Sequence, residues 1–359
     1  MLSDNFCGPD PVRYQTPRRT TQLLNFDADR FLRIQNGALA LSRPLQQVVE
    51  TLRAEGAENL FFLGAGGAGK LMEPAAQLIA RRCDFPVYLE NAAELVAVGS
   101  ANLGSRSIVV IPSLSGTTRE AVAVLDYAQQ RGARVISLTA HQDSPVATQA
   151  DYTFTAFAED DTSSESFYLQ SLVIALTLLN GLGRYEELEA TLAELTRLPG
   201  LLVEIKKAFE PRAAAIAQTI QHDDYHILTA AGPAWTEAWY YGTCILEEMQ
   251  WIRTRPVHAS DFFHGTLELV EAGVSVLVFK GDDASRPLVE RVERWLPSVT
   301  DRMTVIDTAE FALPGVSPQV RALIPHVLIA TVLERVSAHL EVLRDHPLTT
   351  RRYYRRLDY

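Results

Sequence analysis

Residues 59–69 have the sequence NLFFLGAGGAG, an apolar run that stops at a cluster of glycines and leads into the helix-like stretch LMEPAAQLIARRC. A short apolar run ahead of glycines indicates a buried strand, and the glycines indicate a turn that returns the chain as a helix. The same unit recurs where SIVVIPS, residues 107–113, leads into SGTTREAVAVLDYAQQRG. Strands that alternate with helices predict a parallel sheet with helices on both faces.

The alternation extends from this stretch in both directions. Upstream, apolar periodicity predicts one helix from about Asp27 to Glu55. Downstream, it predicts a long helix at about 163–182, a second series of strands and helices, and a last helix from about Ser317 to Asp345. The further predicted strands are VYLE (87–90), RVISLTA (134–140), YTFTAF (152–157), YHILTAAG (225–232), VSVLVFKG (274–281) and RMTVIDTA (302–309).

We therefore expect an α/β protein with two related domains, each a parallel sheet flanked by helices. A chain of 359 residues is long for one domain, which agrees with this division. Both halves open with a strand, a glycine turn and a helix, so the relationship is architectural rather than a clean sequence repeat. The expected parts are an irregular arm (1–27), a first domain (28–200), a second domain (201–343) and a C-terminal tail (344–359).

Charge and cysteine content restrict the class of protein. The formal net charge of −11 argues against a nucleic-acid partner, which normally meets a basic surface. Three cysteines without paired spacing suit a reducing compartment, and the sequence has neither a leader-like apolar segment nor a run of membrane-spanning length. We expect a cytoplasmic protein without a membrane partner.

The glycine turn after the first strand has several interpretations. Gly64–Gly69 fits G-x-G-x-x-G, and Glu90 ends the next strand where a dehydrogenase holds ribose. A nucleoside-triphosphate loop is excluded because Leu71 stands where magnesium needs Ser or Thr. Alternatively, Gly66 and Gly67 let a sugar phosphate approach the backbone, or the turn binds no ligand.

A second turn, SLSGTTRE at 113–120, concentrates hydroxyl groups where a helix begins. Ser113, Ser115 and Thr118 offer hydroxyls, Gly116 permits close approach, and the helix N-terminus favours an anion. A simple helix cap needs one hydroxyl, so we interpret this turn as a phosphate site.

The stretch EEMQWIRTRPVHASDFFHG, residues 247–265, is a candidate for acid–base chemistry. Two carboxylates end an aromatic-rich helix, a break is expected at Pro256, and His258 and His264 follow. A carboxylate and an imidazole can serve as base and acid beside a carbonyl. Alternatively, the carboxylates form a solvated helix face and the histidines are ordinary loop residues.

Several of these motifs resemble a known family. SLSGTTRE resembles the phosphate-binding signature of sugar isomerase (SIS) domains, and the two halves resemble tandem-SIS proteins such as the isomerase half of glucosamine-6-phosphate synthase. EEMQWI, HASDFFHG and the C-terminal HPLTTRRYYRRLDY resemble the fructosamine-6-phosphate deglycases that act on fructoselysine or fructose-asparagine 6-phosphate. This resemblance covers most of the chain beyond the arm.

The resemblance implies hydrolysis of a ketosamine 6-phosphate to glucose 6-phosphate and a free amine or amino acid. It makes Glu248 the residue that moves a proton between C1 and C2, and His264 the acid at the sugar oxygens. It also implies a homodimer with sites at the interface, to which the partner donates the histidine. The basic tail has two interpretations. Either its arginines reach over the site and bind the phosphate or the amino-acid carboxylate, or they form a solvated terminus; they are Arg351, Arg352, Arg355 and Arg356.

Some positions depart from related families. ILEE at 245–248 lacks the lysine that aminotransferase-linked isomerases carry nearby, and Ala68 replaces a sugar-contacting serine of several SIS proteins. No glutaminase or helix-turn-helix domain precedes residue 28, which disfavours a synthase and a transcription regulator. An aldose–ketose isomerase, a non-catalytic phosphosugar-binding protein and the dehydrogenase stay as alternatives.

The remaining charged groups have no assigned chemistry. No His, Cys or Asp cluster has metal-ligand spacing, and we expect neither a metal nor a cofactor. We interpret an acidic patch as a solvated loop rather than a site for a cationic group; it consists of Glu159, Asp160, Asp161 and Glu165.

Overall fold

The computed structural model describes residues 23–354 and 356–357, so most of the arm predicted for residues 1–27 lies outside the described residues. The strands are β1 (Asn59–Gly64), β2 (Val87–Asn91), β3 (Ser107–Pro112), β4 (Arg134–Thr139), β5 (Tyr152–Thr155), β6 (Tyr225–Ala230), β7 (Arg253–His258), β8 (Ser275–Lys280) and β9 (Met303–Asp307).

Helices surround and connect these strands. They are α1 (Ala28–Ala40), α2 (Ser42–Ala54), α3 (Gly66–Lys70), α4 (Glu73–Arg82), α5 (Ala92–Val98), α6 (Arg119–Gln130), α7 (Pro145–Gln149), α8 (Ser163–Gly181), α9 (Leu188–Leu195), α10 (Leu198–Ile220), α11 (Pro233–Tyr240), α12 (Arg286–Trp295), α13 (Pro318–Arg321) and α14 (Pro325–Leu343). A π-helix spans Tyr241–Glu247, and 3₁₀ turns span Thr266–Leu269, Leu296–Ser298 and Thr308–Glu310.

Two parallel sheets have the same strand order. The first sheet runs β2-β1-β3-β4-β5 and the second runs β7-β6-β8-β9. In each sheet the first strand of the half lies beside the second and the third, so β1, β2, β3 and β4 correspond to β6, β7, β8 and β9. The predicted α/β fold is confirmed, and the shared strand order supports a common architecture for the two halves.

Two predicted helices are each divided at a proline. The single helix predicted from Asp27 to Glu55 is α1 and α2, and the last predicted helix is α13 and α14. Pro44 lies in the first turn of α2, and Pro325 begins α14. Proline lacks the amide donor and its ring collides with the carbonyl of the preceding turn, so each helix restarts there.

Strand β7 is missing from the sequence prediction. Its sequence, RTRPVH, contains Pro256, which we interpreted as a break. The strand lies at the edge of its sheet and pairs only with β6. An edge strand tolerates proline because one side of its backbone needs no ladder partner.

The core is continuous between the two halves. Every residue from Ser163 to Leu179 in α8 is buried, and this helix packs against α1, α2 and α4 and also against α14. The expected domain boundary at 200/201 falls within α10, which packs along α14. Although α8 has 19 residues, no helix in the described ranges is long and apolar enough to cross a membrane.

Candidate active site

A cavity of about 660 Å³ opens at the carboxyl end of the first sheet. The turns that follow β1, β3, β4 and β5 meet there because parallel strands end at the same edge. The second half adds the helix that follows β6, and the tail covers one side. The polar and titratable residues that line the cavity are Ser113, Ser115, Thr118, Glu120, His141, Glu159, Asp160, Ser163, Tyr240, Cys244, Glu248, Arg351 and Tyr354.

The turn between β3 and α6 supplies hydroxyls to this cavity. Thr118 is the N-cap of α6, yet its side chain makes no capping hydrogen bond, and its Oγ1 lies 3.4 Å from Ser113 Oγ. Ser115 lines the same wall. The simple-cap alternative therefore does not explain these side chains, and the helix N-terminus beside them suits an anion.

Gly116 gives the turn its shape without lining the cavity. Its φ is 62°, and the Gly116 N–H donates to Ser113 Oγ at 3.1 Å. A Cβ atom at this position would lie 2.0 Å from Ser144 Oγ. Only glycine accommodates both the backbone conformation and the neighbouring serine.

The glycine turn after the neighbouring strand β1 also lines the cavity, through Gly66 and Gly67. A Cβ atom at Gly67 would lie 2.7 Å from the Tyr240 ring and 3.0 Å from Cys244 Sγ. The glycine therefore allows the turn to pack against the helix of the second half. Glu90, the expected ribose ligand of a dehydrogenase, is not among the residues that line the cavity.

Glu248 reaches the cavity from the end of the π-helix that continues α11. Its N–H donates to Thr243 O at 3.2 Å, five residues back. The wider π turn presents Tyr240, Cys244 and Glu248, four residues apart, to the same cavity. Irregular helical turns of this kind are frequent at functional sites.

The two adjacent glutamates have different surroundings. Glu247 Oε1 accepts hydrogen bonds from the Thr254 N–H at 3.1 Å and the Thr254 hydroxyl at 2.6 Å, and Glu247 does not line the cavity. Glu248 Oε1 accepts from Arg351 Nε at 2.9 Å. Burial raises the pKa of Glu248, and the Arg351 guanidinium opposes that rise. Of the two adjacent glutamates, Glu248 is thus the one that lines the cavity.

The two histidines predicted from the sequence, His258 and His264, do not line this cavity. His264 is exposed on the turn after β7, where its N–H donates to Asp261 O at 2.9 Å. His258 Nδ1 lies 2.7 Å from Ser260 Oγ, its ring contacts Trp235, and burial lowers its pKa.

His141, which the sequence analysis missed, does line the cavity. It follows β4 directly. A polar residue at the carboxyl end of a predicted parallel strand is a signal that would have found it.

The tail arginines separate into two environments. Arg351 lines the cavity, whereas the Arg352 guanidinium stacks 3.9 Å from the centre of the Trp251 ring, away from it. Arg355 lies outside the described residues.

The interpretation of the acidic patch as a solvated loop is confirmed for Glu159, Asp160 and Asp161, which are exposed, and is wrong for Glu165. Glu165 is only 2% exposed, and burial raises its pKa. Glu159 and Asp161 both pair with Arg30. These side chains line a smaller cavity of about 350 Å³ between the halves, which shares Asp160 with the first. Within the described residues no group of His, Cys, Asp and Glu is arranged to hold a metal ion.

Part of the chain matches a known domain family. A model of the SIS domain matches residues 55–180, which contain the four turns of the first half that line the cavity. Residues 55–180 are a SIS domain. The model covers the first half only, so the relationship of the second half rests on its strand order.

Relatives extend the similarity beyond the SIS domain. The chain is 27% identical to fructosamine deglycase FrlB of Bacillus subtilis over 89% of this chain and 98% of the relative. It is 26% identical to fructoselysine 6-phosphate deglycase of Escherichia coli over 86% of this chain and 88% of that one. The expected resemblance to fructosamine-6-phosphate deglycases is thereby confirmed.

Solved structures agree on the fold around the SIS domain. A Bacillus subtilis protein provisionally assigned as a phosphosugar isomerase superposes with a TM-score of 0.80 at 25% identity, covering 93% of this chain and 100% of that one. The C-terminal domain of glucosamine-fructose-6-phosphate aminotransferase from Francisella tularensis gives a TM-score of 0.75 at 14% identity, covering 90% and 97%. The second of these likenesses concerns the fold alone.

Proposed function

We propose that the protein hydrolyses a ketosamine 6-phosphate to glucose 6-phosphate and a free amine or amino acid. The observation that carries this proposal is the meeting of Glu248 with the hydroxyl-rich turn in one cavity, although more than a hundred residues separate them. The names of the relatives, a fructosamine deglycase and a fructoselysine 6-phosphate deglycase, support the same substrate class.

The phosphate lies at the turn between β3 and α6 in this proposal. The hydroxyls of Ser113, Ser115 and Thr118 donate to its oxygens, and the positive end of the α6 dipole adds to the attraction. Gly66 and Gly67 line the cavity beside this turn, and the missing side chain at Gly67 lets Tyr240 and Cys244 of the second half approach. The sugar then extends from this turn toward Glu248.

Glu248 acts as base and then as acid on the open-chain sugar. It removes a proton from C1, which gives an enaminol, and returns the proton to C2, which leaves a C1–N double bond. Water adds to C1, the C1–N bond breaks, and the amine leaves with a proton while glucose 6-phosphate remains. A carboxylate with a raised pKa suits this exchange because it both accepts and returns the proton.

His264 protonates the sugar oxygens, including the ring oxygen during opening, and it reaches the cavity from a second copy of the chain. Its exposed position on the turn after β7 supports donation to a partner. We therefore propose a homodimer with shared sites, and the cytoplasmic location also stays a prediction.

The assembly is tested by mixing two inactive variants. A dimer of one Glu248→Gln chain and one His264→Asn chain has one site with both wild-type residues if the histidine comes from the partner. Equal mixing then restores roughly a quarter of wild-type activity, because half of the dimers are mixed and each has one intact site. If activity does not return although the chains exchange, the histidine does not come from the partner.

The reaction is tested by glucose 6-phosphate release from a panel of fructosamine 6-phosphates. Glu248→Gln and His264→Asn are each expected to lower turnover by about 10²–10⁴-fold. Glu247→Gln is the matched control, since its carboxylate is bound by Thr254. His141→Asn tests the histidine that lines the cavity in the same protomer.

Three outcomes would contradict parts of this proposal. If wild-type protein releases no sugar phosphate from any member of the panel, the deglycase assignment is wrong. Interconversion of fructose 6-phosphate and glucose 6-phosphate without an amine would make the protein an isomerase. Equal losses of turnover in Glu247→Gln and Glu248→Gln would show that Glu248 has no special role in the reaction.

A further inference from the structure

The tail places one cation directly on the candidate base. Arg351 Nε donates to Glu248 Oε1 at 2.9 Å, and the Arg351 side chain is only 12% exposed. The same guanidinium is held from behind, since its NH1 donates to Leu348 O at 2.7 Å and Thr350 O at 3.1 Å. Arg351 is therefore oriented toward Glu248 by the backbone of its own tail.

The tail is fixed on two sides of the candidate site. Gln250 Nε2 donates to His346 O at 2.8 Å, which joins the tail to the segment just after Glu248. The Leu348 N–H donates to Glu341 Oε1 at 3.0 Å, which joins it to the end of α14. The contact between Arg351 and Glu248 thus forms only when the tail is docked.

Other charged or titratable groups near Glu248 do not replace this cation. Asp160 carries a like charge, which reinforces the rise in the pKa of Glu248. Cys244, one turn earlier, stays a neutral thiol because burial raises its pKa to about 12. The neighbouring Glu247 carboxylate is occupied by Thr254.

We propose that Arg351 is a positioning residue that holds the Glu248 carboxylate toward the cavity and makes its charge state depend on docking of the tail. The proposal rests on the proposed function, in which Glu248 moves a proton between C1 and C2. A carboxylate that must be ionised to accept a proton benefits from a nearby guanidinium. The Glu248 side chain is 40% exposed in the docked state. With a neutral side chain at position 351, Glu248 keeps its partial burial and loses the compensating cation.

The sign of the expected effect follows from these contributions. Burial raises the pKa of Glu248 and Arg351 lowers it, so removing the guanidinium raises the pKa further. Since the base must be ionised, the acid side of the kcat/KM profile then moves to higher pH. A merely structural loss would lower activity without moving the profile.

The experiment measures the ionisation of Glu248 directly, without substrate. The protein is labelled with ¹³C at glutamate carboxyls, and the Glu248 signal is assigned by its absence in Glu248→Gln. Arg351→Gln is expected to raise the titration midpoint by about one to three pH units, the usual effect of an opposite charge at this distance. Arg351→Lys gives a smaller shift, and a chain ended after Thr350 shifts the midpoint in the same direction as Arg351→Gln but by less, because it also uncovers Glu248.

Arg352→Gln is the matched control, because Arg352 stacks on Trp251 and lies outside the cavity. In this variant the titration midpoint of Glu248 is expected to equal that in the wild type. An unchanged midpoint in folded Arg351→Gln, or an equal shift in Arg352→Gln, would overturn the proposal. If Arg351→Gln does not fold, the Lys variant and the shortened chain decide the question.

Activity measurements separate this inference from the function on which it rests. If the wild type releases glucose 6-phosphate but the pH profile of Arg351→Gln does not move, only the role of Arg351 is wrong. If the midpoint moves but no fructosamine 6-phosphate is hydrolysed, only the reaction is wrong. The two failures therefore have different signatures.

Discussion

The turn after β3, residues 113–118, and the turn after β8, residues 281–285, occupy the same place in their sheets but have opposite chemistry. The first contains hydroxyls and no carboxylate, and it opens onto the larger cavity. The second has the sequence GDDAS. A phosphate is attracted to the first turn, whereas the two carboxylates of the second repel it.

The two carboxylates of the second turn have partners nearby. Asp283 Oδ1 accepts the Ser285 N–H at 2.8 Å, and Asp282 pairs with Arg321 at 3.0 Å. At the start of α12, Arg286 binds the Asp307 carboxylate. One architecture thus places hydroxyl groups at a helix N-terminus in the first half and carboxylates at the equivalent edge in the second, where Asp283 Oδ2 and Ser285 Oγ are buried without a hydrogen-bond partner among the described residues.

The largest expected effect comes from giving the first turn the charge of the second. Ser115→Asp is expected to weaken fructose 6-phosphate binding at least about 100-fold, because a carboxylate beside a phosphate costs several kcal/mol. Isothermal titration calorimetry measures the dissociation constant. Asp283→Ser is the matched control and leaves binding unchanged; wild-type affinity in Ser115→Asp would refute the phosphate site.

Gly116→Ala tests the shape of the first turn. The new Cβ meets Ser144 and the positive φ is strained, so we expect a loss of about 2–4 kcal/mol in unfolding free energy together with weaker phosphosugar binding. Urea denaturation measures the stability.

Two other glycines serve as controls for Gly116. Gly232→Ala, in the second half, also meets close neighbours but should leave binding intact in the folded protein. Gly183→Ala has a positive φ and open space, so it should cost only about 1–2 kcal/mol. A Gly116→Ala protein that binds normally would show that the turn adapts.

Asp307→Asn tests whether the negative charge at the end of β9 is neutralised by neighbouring cations of the same half. Burial acts to raise the pKa of Asp307, but Arg286, the Ala309 N–H and Lys280 outweigh it and hold the pKa at about 2. Losing these charge-assisted hydrogen bonds is expected to cost about 1.5–3 kcal/mol at pH 7, measured by urea denaturation.

The pH dependence of that cost has a definite sign. Because the folded pKa lies below the ordinary aspartate value, the stabilisation is fully present above about pH 4 and is lost as pH falls toward 2. The difference in unfolding free energy between the wild type and Asp307→Asn should therefore become smaller from pH 5 to pH 3. A constant gap would contradict the ionic explanation.

The smallest expected effect is at Asp282. Its side chain is 40% exposed, and Arg321 also donates to the carbonyls of Phe311 and Thr308. Asp282→Asn should change the unfolding free energy by less than about 1 kcal/mol. Urea denaturation of Asp282→Asn and Asp307→Asn under the same conditions compares their losses of unfolding free energy. A larger loss in Asp282→Asn would contradict this prediction.

Local patterns predicted most of the fold and one wall of the cavity. Apolar runs that end in glycines or serines marked the strands, and the parallel arrangement brought the turns at Gly66 and Ser113 together at one edge. Strand β7 was missed because Pro256 contradicts a central strand and is tolerated only at an edge. Edge position depends on the whole sheet and cannot be seen locally.

The remainder of the site depends on long-range packing. No local pattern distinguishes the π-helix before Glu248 from an α-helix, so Tyr240 and Cys244, which line the cavity beside the predicted Glu248, were not predicted. The contact between Arg351 and Glu248 joins positions 103 residues apart. By contrast, His141 follows a predicted strand, so the position of parallel strand ends would have identified it.

The buried helix α8 makes the two halves dependent on each other for folding. Its side chains fill a core that includes Phe62 of the first sheet and Leu228 of the second. If either half unfolded alone, α8 would expose apolar surface that the other half had covered, at a cost of about 25 cal/mol per Å². We therefore expect one calorimetric transition for the whole chain. A gene cut at codon 200 should yield two fragments that aggregate separately and regain structure only together.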